Sequence, residues 1–122
     1  MYLKRHTLSI TTDASGDGTG YTPVVNGRVL DVQYVETDYA TTVDFTITGA
    51  ITSKEILSLS GITASTTWLP RIQVHDSADG TGLLYNVGRK VCEPVCLANE
   101  RVKITVAQGG NAKSGTFYVT IG

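Results

Sequence analysis

Apolar and polar residues alternate along two segments in the last third of the chain. Within residues 101–107 and 116–121, branched aliphatic side chains and one phenylalanine occupy every second position: Val102, Ile104, Val106, Phe117, Val119 and Ile121. A period of two places successive side chains on opposite faces of a β-strand. Because the polar, glycine-containing residues 108–115 join the two segments, the pattern predicts a terminal β-hairpin with one buried face.

Short alternating stretches separated by turn residues continue through the rest of the chain. Residues 13–20 are predicted to form a loop, and Asn26-Gly27 is the strongest short hairpin signal. Residues 54–59 fit either a helical turn or a strand, and Pro70 predicts an edge or a bulge within a strand-like stretch. Residues 1–122 are therefore predicted to form one all-β domain, an antiparallel β-sandwich or jelly roll of about eight to ten short strands.

The inward positions of these stretches define a predicted hydrophobic core. A chain of 122 residues with 41% hydrophobic residues is long enough to bury one. The predicted core residues are Leu8, Ile10, Leu30, Val32, Val43, Phe45, Ile47, Trp68, Ile72, Val102, Ile104, Val106, Phe117, Val119 and Ile121.

Charge and hydropathy narrow the classes of partner. The net charge is −1 and the basic residues form no long run, so we predict no nucleic-acid partner. No apolar run approaches the length of a membrane span, and charged residues begin at Lys4 with no apolar stretch behind them, so we expect a protein made in a cytosol and no membrane partner. Acids outnumber bases within residues 1–50, which fits either complementary ends for self-association or random scatter.

Catalytic and metal-binding patterns are weak. Cys92 and Cys96 have the spacing of half a zinc site, but we interpret them as two free thiols on a β segment. The sequences 13–18 and 76–80 have the spaced carboxylates of calcium loops and are better explained as turns. The sequence contains no recognisable catalytic nucleophile paired with a base. It also contains no phosphate-binding loop and no dinucleotide-binding fingerprint. We therefore predict no enzyme activity and no cofactor.

Four segments carry a resemblance to a known family. They are residues 4–20, 43–49, 69–71 and 97–117. In order along nearly the whole chain, they resemble small β-rich virion structural proteins of tailed bacteriophages and prophages, which are typically encoded among head-assembly genes. The resemblance implies a capsid decoration or cement protein that binds and stabilises the major capsid protein lattice. It implies a location on the capsid exterior after synthesis in the host cytoplasm, and it supplies no catalytic residues.

The outward residues of the predicted terminal hairpin are the candidate partner-binding residues: Arg101, Lys103, Lys113 and Tyr118. We expect the protein to bridge capsid subunits as a homo-oligomer, a dimer or a trimer. A head–tail connector or a tail or fibre component is an alternative that copy number per particle distinguishes. A carbohydrate-binding module, based on Trp68 and the tyrosines, and a small hydrolase with a carboxylate or histidine site are further alternatives.

Overall fold

The structure, a computed structural model, describes residues 3–122, and this range is all-β. Strands are numbered in chain order. The first sheet contains β1 (Lys4–Thr11), β3 (Val25–Glu36), β6 (Thr66–Trp68), β11 (Val95–Glu100) and β13 (Ser114–Ile121). The second sheet contains β2 (Gly18–Tyr21), β4 (Asp44–Gly49), β5 (Glu55–Leu59) and β12 (Val102–Ala107). Four very short strands lie outside both sheets: β7 (Ile72–Gln73), β8 (Leu84–Asn86), β9 (Arg89–Lys90) and β10 (Cys92–Glu93).

The two main sheets form an antiparallel β-sandwich, as predicted. The first has the order β1-β13-β3-β11, with β6 also pairing with β3, and the second has the order β2-β12-β4-β5. Strand β3 is long enough to pair with β13 on one side and with β11 and then β6 on the other. The predicted eight to ten strands match the nine of the two main sheets, and the thirteen strands within residues 3–122 exceed the prediction.

The predicted terminal hairpin is wrong, because β12 and β13 belong to different sheets. Strand β12 pairs with β2 and β4, whereas β13 pairs with β1 and β3. The connecting loop passes from one sheet to the other, with Gln108 and Ala112 at positive φ. The Gly109 amide donates to the Gly16 carbonyl, and the Gly109 carbonyl accepts from the Ala40 amide. These bonds tie the loop to the two other loops that connect the sheets nearby, after β1 and after β3. Alternation predicted which side chains face inward, but it carries no information about which strand lies alongside.

The Asn26-Gly27 hairpin prediction is also wrong, and the loop predicted over residues 13–20 is three residues too long. Asn26 and Gly27 lie inside β3, where Gly27 has a φ of 139° and pairs with Leu97. Residues 18–20, predicted as loop, open strand β2 instead. A Cβ on Gly20 would lie 2.8 Å from the Ile10 side chain, so glycine here allows β2 to approach β1 closely and close one side of the sandwich.

Two ambiguous segments have a definite structure. Within residues 54–59, Glu55–Leu59 is strand β5, paired with β4, and not a helical turn. Strand β6 ends two residues before Pro70, and the chain then leaves the sandwich. Proline lacks the amide hydrogen that a continued ladder needs, which accounts for the break.

The core forms one cluster between the sheets, and most of the predicted core residues belong to it. Trp68 is partly buried and packs against this cluster, whereas Leu30 is only partly buried outside it and Ile72 is exposed, so the predictions for Leu30 and Ile72 are wrong. Leu30 is the extra residue of an irregularity where β3 faces Thr120 and Ile121, and Val29 takes the inward position in its place. The buried hydrophobic residues that sequence reasoning missed are Val25, Val29, Tyr34, Tyr39, Ile56, Val95 and Leu97.

Aromatic side chains join the two sheets at the centre of this core. Phe45 from β4 meets Phe117 from β13 edge to face, with ring centroids 4.9 Å apart, and Tyr34 lies 4.8 Å from Phe45. Burial, with smaller contributions from Glu36 and Asp38, raises the pKa of Tyr34 to about 12. These rings stay neutral and act as packing groups.

Candidate interaction surface

Residues 69–94 form an extension between β6 and β11 that we call the arm. Its four strands pair only among themselves, β7 with β10 and β8 with β9. From residue 71 to residue 94 no side chain is buried. The arm is therefore held together by backbone hydrogen bonds and adds nothing to the core of the sandwich.

Backbone hydrogen bonds give the arm a defined shape. The Val74 amide donates to the Val91 carbonyl at 2.8 Å, and the Val74 carbonyl accepts from the Leu83 amide at 2.7 Å. The Val91 amide donates in turn to the Leu83 carbonyl at 3.1 Å. Three segments of the chain are thus hydrogen-bonded side by side at Val74, Leu83 and Val91. Strands β8 and β9 continue beyond them as a hairpin whose two-residue turn contains Gly88.

Aspartate-centred turns shape the loops that resembled calcium sites. Asp13 Oδ1 accepts from the amides of Ser15 and Asp17, while Asp76 Oδ1 accepts from the Ala78 amide. Asp79 Oδ1 accepts from the amide and hydroxyl of Thr81, and these bonds lower the pKa of Asp79. The turn prediction is confirmed at both places. Among residues 3–122, no group of three or more His, Cys, Asp or Glu side chains is arranged to hold a metal ion.

Large apolar side chains are exposed along the arm. Leu84, Tyr85 and Val87 on the distal hairpin are 53%, 67% and 98% exposed, and Leu69 and Ile72 near the base are also exposed. Scattered single hydrophobic residues are normal on a protein surface, but five within one short extension are a concentration. Among the described residues, the other exposed large apolar side chains are Leu3, Tyr21, Val24 and Ile51, which lie outside the arm.

The base of the arm is fixed to the first sheet. Pro70 is buried, and the Arg71 guanidinium donates to the Leu30 carbonyl at 3.2 Å and to the Pro70 carbonyl at 2.7 Å. This attachment gives the arm a fixed root, which lowers the entropy lost when its tip binds.

The structure separates the four predicted partner-binding residues. Arg101 precedes β12 and Lys103 lies on its outer face, in the second sheet. Tyr118 lies on the outer face of β13, in the first sheet, and Lys113 lies in the loop between them. Since the sheets pack through their inner faces, Arg101 and Lys103 lie on the opposite side of the sandwich from Tyr118. These residues therefore do not form one surface.

Two of the four make ring contacts within the chain. The Arg101 guanidinium lies 5.2 Å from the centroid of Tyr21, and its Nε donates to the Thr22 carbonyl at 2.7 Å. The Arg5 guanidinium lies 5.3 Å from the centroid of Tyr118. Both contacts are cation–π interactions on an outer face, so they order side chains that a partner would otherwise have to order.

The aromatic residues proposed for a carbohydrate site are divided among separate places. Tyr34 and Tyr39 are buried, and Trp68 is partly buried with its ring 6.4 Å from Phe45. Tyr85 lies on the arm. A common aromatic platform therefore does not form from this set. The two cysteines are free, exposed thiols on β10 and β11, as predicted.

A buried carboxylate that sequence reasoning missed links the two sheets. Glu100, at the end of β11, is 3% exposed, and its Oε1 accepts from the Ile51 and Thr52 amides at 2.9 and 2.8 Å. The Thr52 amide, followed by the Ile51 amide and the Thr52 hydroxyl, holds the pKa of Glu100 below its usual value against the opposing effect of burial. Lys54 acts in the same direction. The only sequence signal was an acid beside the alternating segment.

Comparison with known protein families and with curated proteins finds no match for this chain. Within residues 3–122, no helix has the length and apolar character needed to cross a membrane.

Proposed function

We propose that this chain is a non-enzymatic structural protein of a tailed-phage head that decorates the capsid and binds the major capsid protein through its arm. The observation that carries the proposal is the set of exposed apolar side chains on the arm, outside a sandwich that already has its own core. Large exposed apolar groups on a rooted extension are typical of protein-binding surfaces. The phage assignment itself rests on the resemblance of the four quoted segments.

Such a binding mode fits the energetics of a repetitive shell. One distal hairpin presents Leu84, Tyr85 and Val87, too little area for a tight contact alone. A lattice offers many equivalent sites, and a second contact made by the same molecule then raises the overall affinity without any new chemistry. A bridging decoration protein uses this multiplicity.

Co-sedimentation with assembled capsid shells tests the proposal. The variant Leu84→Ser/Tyr85→Ser/Val87→Ser removes the apolar hairpin surface, and we expect its binding to fall at least tenfold while circular dichroism stays unchanged. The matched comparison is Lys103→Glu on the outer face of the second sheet, which alters the surface predicted from sequence. Undiminished binding by the hairpin variant, with loss in Lys103→Glu, would move the interface from the arm to the sheet.

Copy number on purified particles separates decoration from the connector and tail alternatives. A capsid decoration protein is present in many copies per particle, and a connector in few. Quantitative mass spectrometry of purified virions, normalised to the major capsid protein, measures this ratio. Decoration would be contradicted if the particle contained only a few copies of this protein for its whole set of capsid subunits.

A further inference from the structure

Charged side chains are distributed unevenly between the two ends of the sandwich. At one end, β1, β3, β5 and β12 finish and β2, β4 and β13 begin, next to loops 12–17, 37–43 and 108–113. Hydrogen bonds between these loops hold them together. This acidic end carries five carboxylates and one lysine: Asp13, Asp17, Glu36, Asp38, Asp44 and Lys113.

The other half of the sandwich has the opposite balance. There β1 and β3 begin, and the loops after β2, β4 and β11 gather. This basic end carries six basic residues and three carboxylates: Lys4, Arg5, Arg28, Lys54, Arg101, Lys103, Asp31, Glu55 and Glu100. Arg5 and Lys103 lie on the outer faces of opposite sheets, so the basic side chains flank this end from both sides. The Glu100 carboxylate is buried and accepts hydrogen bonds from the Ile51 and Thr52 amides. The exposed surface at this end is therefore more basic than the number of residues indicates.

The arm does not contribute to this asymmetry, because its three basic and three acidic residues balance: Arg71, Arg89, Lys90, Asp76, Asp79 and Glu93. The net charge of −1 is thus the sum of two ends that carry charges of opposite sign. From sequence alone, the excess of acidic residues within residues 1–50 could equally be random scatter. In the structure, all of these acidic residues except Asp31 lie at the acidic end.

The basic end also has the shape of a receiving surface. A depression of about 300 Å³ opens there, lined in part by Lys4, His6, Val24 and Asn26. Burial and the charge of Lys4 lower the pKa of His6, so the positive charge around the depression comes from lysine and arginine. Val24 in its lining is 57% exposed, and Ile51 in the loop after β4 at the same end is 74% exposed, whereas the acidic end exposes no large hydrophobic side chain among the described residues.

We propose that the acidic end of one copy docks on the basic end of the next, head to tail. Both complementary surfaces belong to the same molecule and lie at opposite ends, so one contact leaves an acidic and a basic end still open. Such a heterologous contact either closes into a ring or extends as a chain. The proposal stands apart from capsid binding, since it uses the ends of the sandwich and not the arm.

The strength of this contact depends on ionic strength. The Debye length is about 30 Å at 0.01 M salt and about 3 Å at 1 M, so low salt preserves the attraction between ends and high salt removes it. Sedimentation velocity over a range of protein concentrations, with a reductant present to keep Cys92 and Cys96 as thiols, measures the association. We expect the average mass to rise with concentration at low salt and to stay monomeric at high salt.

Two variants, each with one altered end, make the test specific. Lys4→Glu/Arg5→Glu alters the basic end and leaves the acidic end intact, and Asp17→Lys/Glu36→Lys does the reverse. All four side chains are exposed. We expect each variant to be monomeric alone, and a mixture of the two to form a one-to-one dimer that does not grow. A symmetric dimer would persist in one variant and would not be restored by mixing.

A pair of charge-matched variants controls for net charge. Lys4→Gln/Arg5→Gln and Thr7→Glu/Ser9→Glu make the same change in net charge on the same strand, but only the first removes charge from the basic end. We expect the first to weaken association at least fivefold and the second to retain it. Equal effects of the two variants, or a monomer at every concentration in low salt, would overturn the proposal.

Discussion

The sandwich and the arm are both built from paired β-strands, yet they use their apolar residues in opposite ways. In the sandwich, alternate side chains of two sheets meet in one cluster, with Phe45 and Phe117 at its centre. In the arm, Leu84, Tyr85 and Val87 face solvent. The comparison shows that strand pairing determines local shape in both regions, while stability depends on whether a second layer covers the paired strands.

The largest expected contrast compares aromatic truncations in the two regions. Phe45→Ala leaves a cavity between the sheets and should lower the free energy of unfolding by about 3–5 kcal/mol. Tyr85→Ala removes a ring that is 67% exposed and should change it by less than about 0.5 kcal/mol. Urea denaturation of both variants measures the difference. Comparable losses would mean that the arm packs on the sandwich as part of its core.

A smaller contrast concerns single hydroxyl groups. The Tyr39 hydroxyl donates to the Ile10 carbonyl at 2.6 Å in a buried setting, and burial raises the pKa of Tyr39. Tyr39→Phe leaves that carbonyl without this donor, which should cost about 1–3 kcal/mol.

Tyr118→Phe is the matched control on the outer face of the first sheet. Its ring keeps the contact with Arg5, so we expect a change below about 0.5 kcal/mol. Thermal unfolding of the two variants side by side provides the test. A stable Tyr39→Phe would show that the loop carrying Tyr39 is not part of the cooperative structure.

Sequence analysis predicted the inward faces of most strands because alternation is a local property. Val102, Ile104 and Val106 are buried as expected even though the neighbours of their strand were predicted wrongly. Pairing partners depend on where the loops cross between sheets. The loop 108–113 connects the two sheets with Gln108 and Ala112 at positive φ. Neither residue type favours positive φ, so the sequence does not predict this turn.

The arm was not foreseen for a related reason. The segment around Ile72 is strand-like in sequence, which predicts Ile72 in the core, whereas it is 45% exposed. Whether an apolar strand is covered depends on the other layer, which sequence periodicity does not describe. Pro70 was the local signal that the chain would leave the sheet, and it was interpreted as an edge or bulge.

The same limit applies to the predicted interface. Arg101, Lys103 and Tyr118 were grouped because a shared hairpin would have placed them on one face. With β12 and β13 in different sheets, that grouping is lost. The excess of acids within residues 1–50 is visible in the sequence, but its location at one end of the sandwich depends on the sheet registers.

Two hydrogen-bonded carboxylates extend the comparison to pH. Glu100 in the sandwich and Asp79 in the arm both have a lowered pKa, in each case mainly through a backbone amide of a threonine. A lowered pKa in the folded state contributes stability that is present above the unfolded value, 4.5 for Glu100, and is lost as the pH falls through the folded value. Glu100→Gln should therefore lose less stability than the wild type as the pH falls below 4.5.

Asp79→Asn should leave that acid profile unchanged although the sign of its pKa shift is the same. The bonds of Asp79 lie within one exposed turn of the arm, and such a turn can open without unfolding the sandwich. Glu100 instead connects β11 of the first sheet to the loop after β4 of the second, so its bonds contribute to holding the two sheets together. If Asp79→Asn altered the profile as much as Glu100→Gln, the arm and the sandwich would unfold as a single cooperative unit, and the distinction between them would be one of exposure alone.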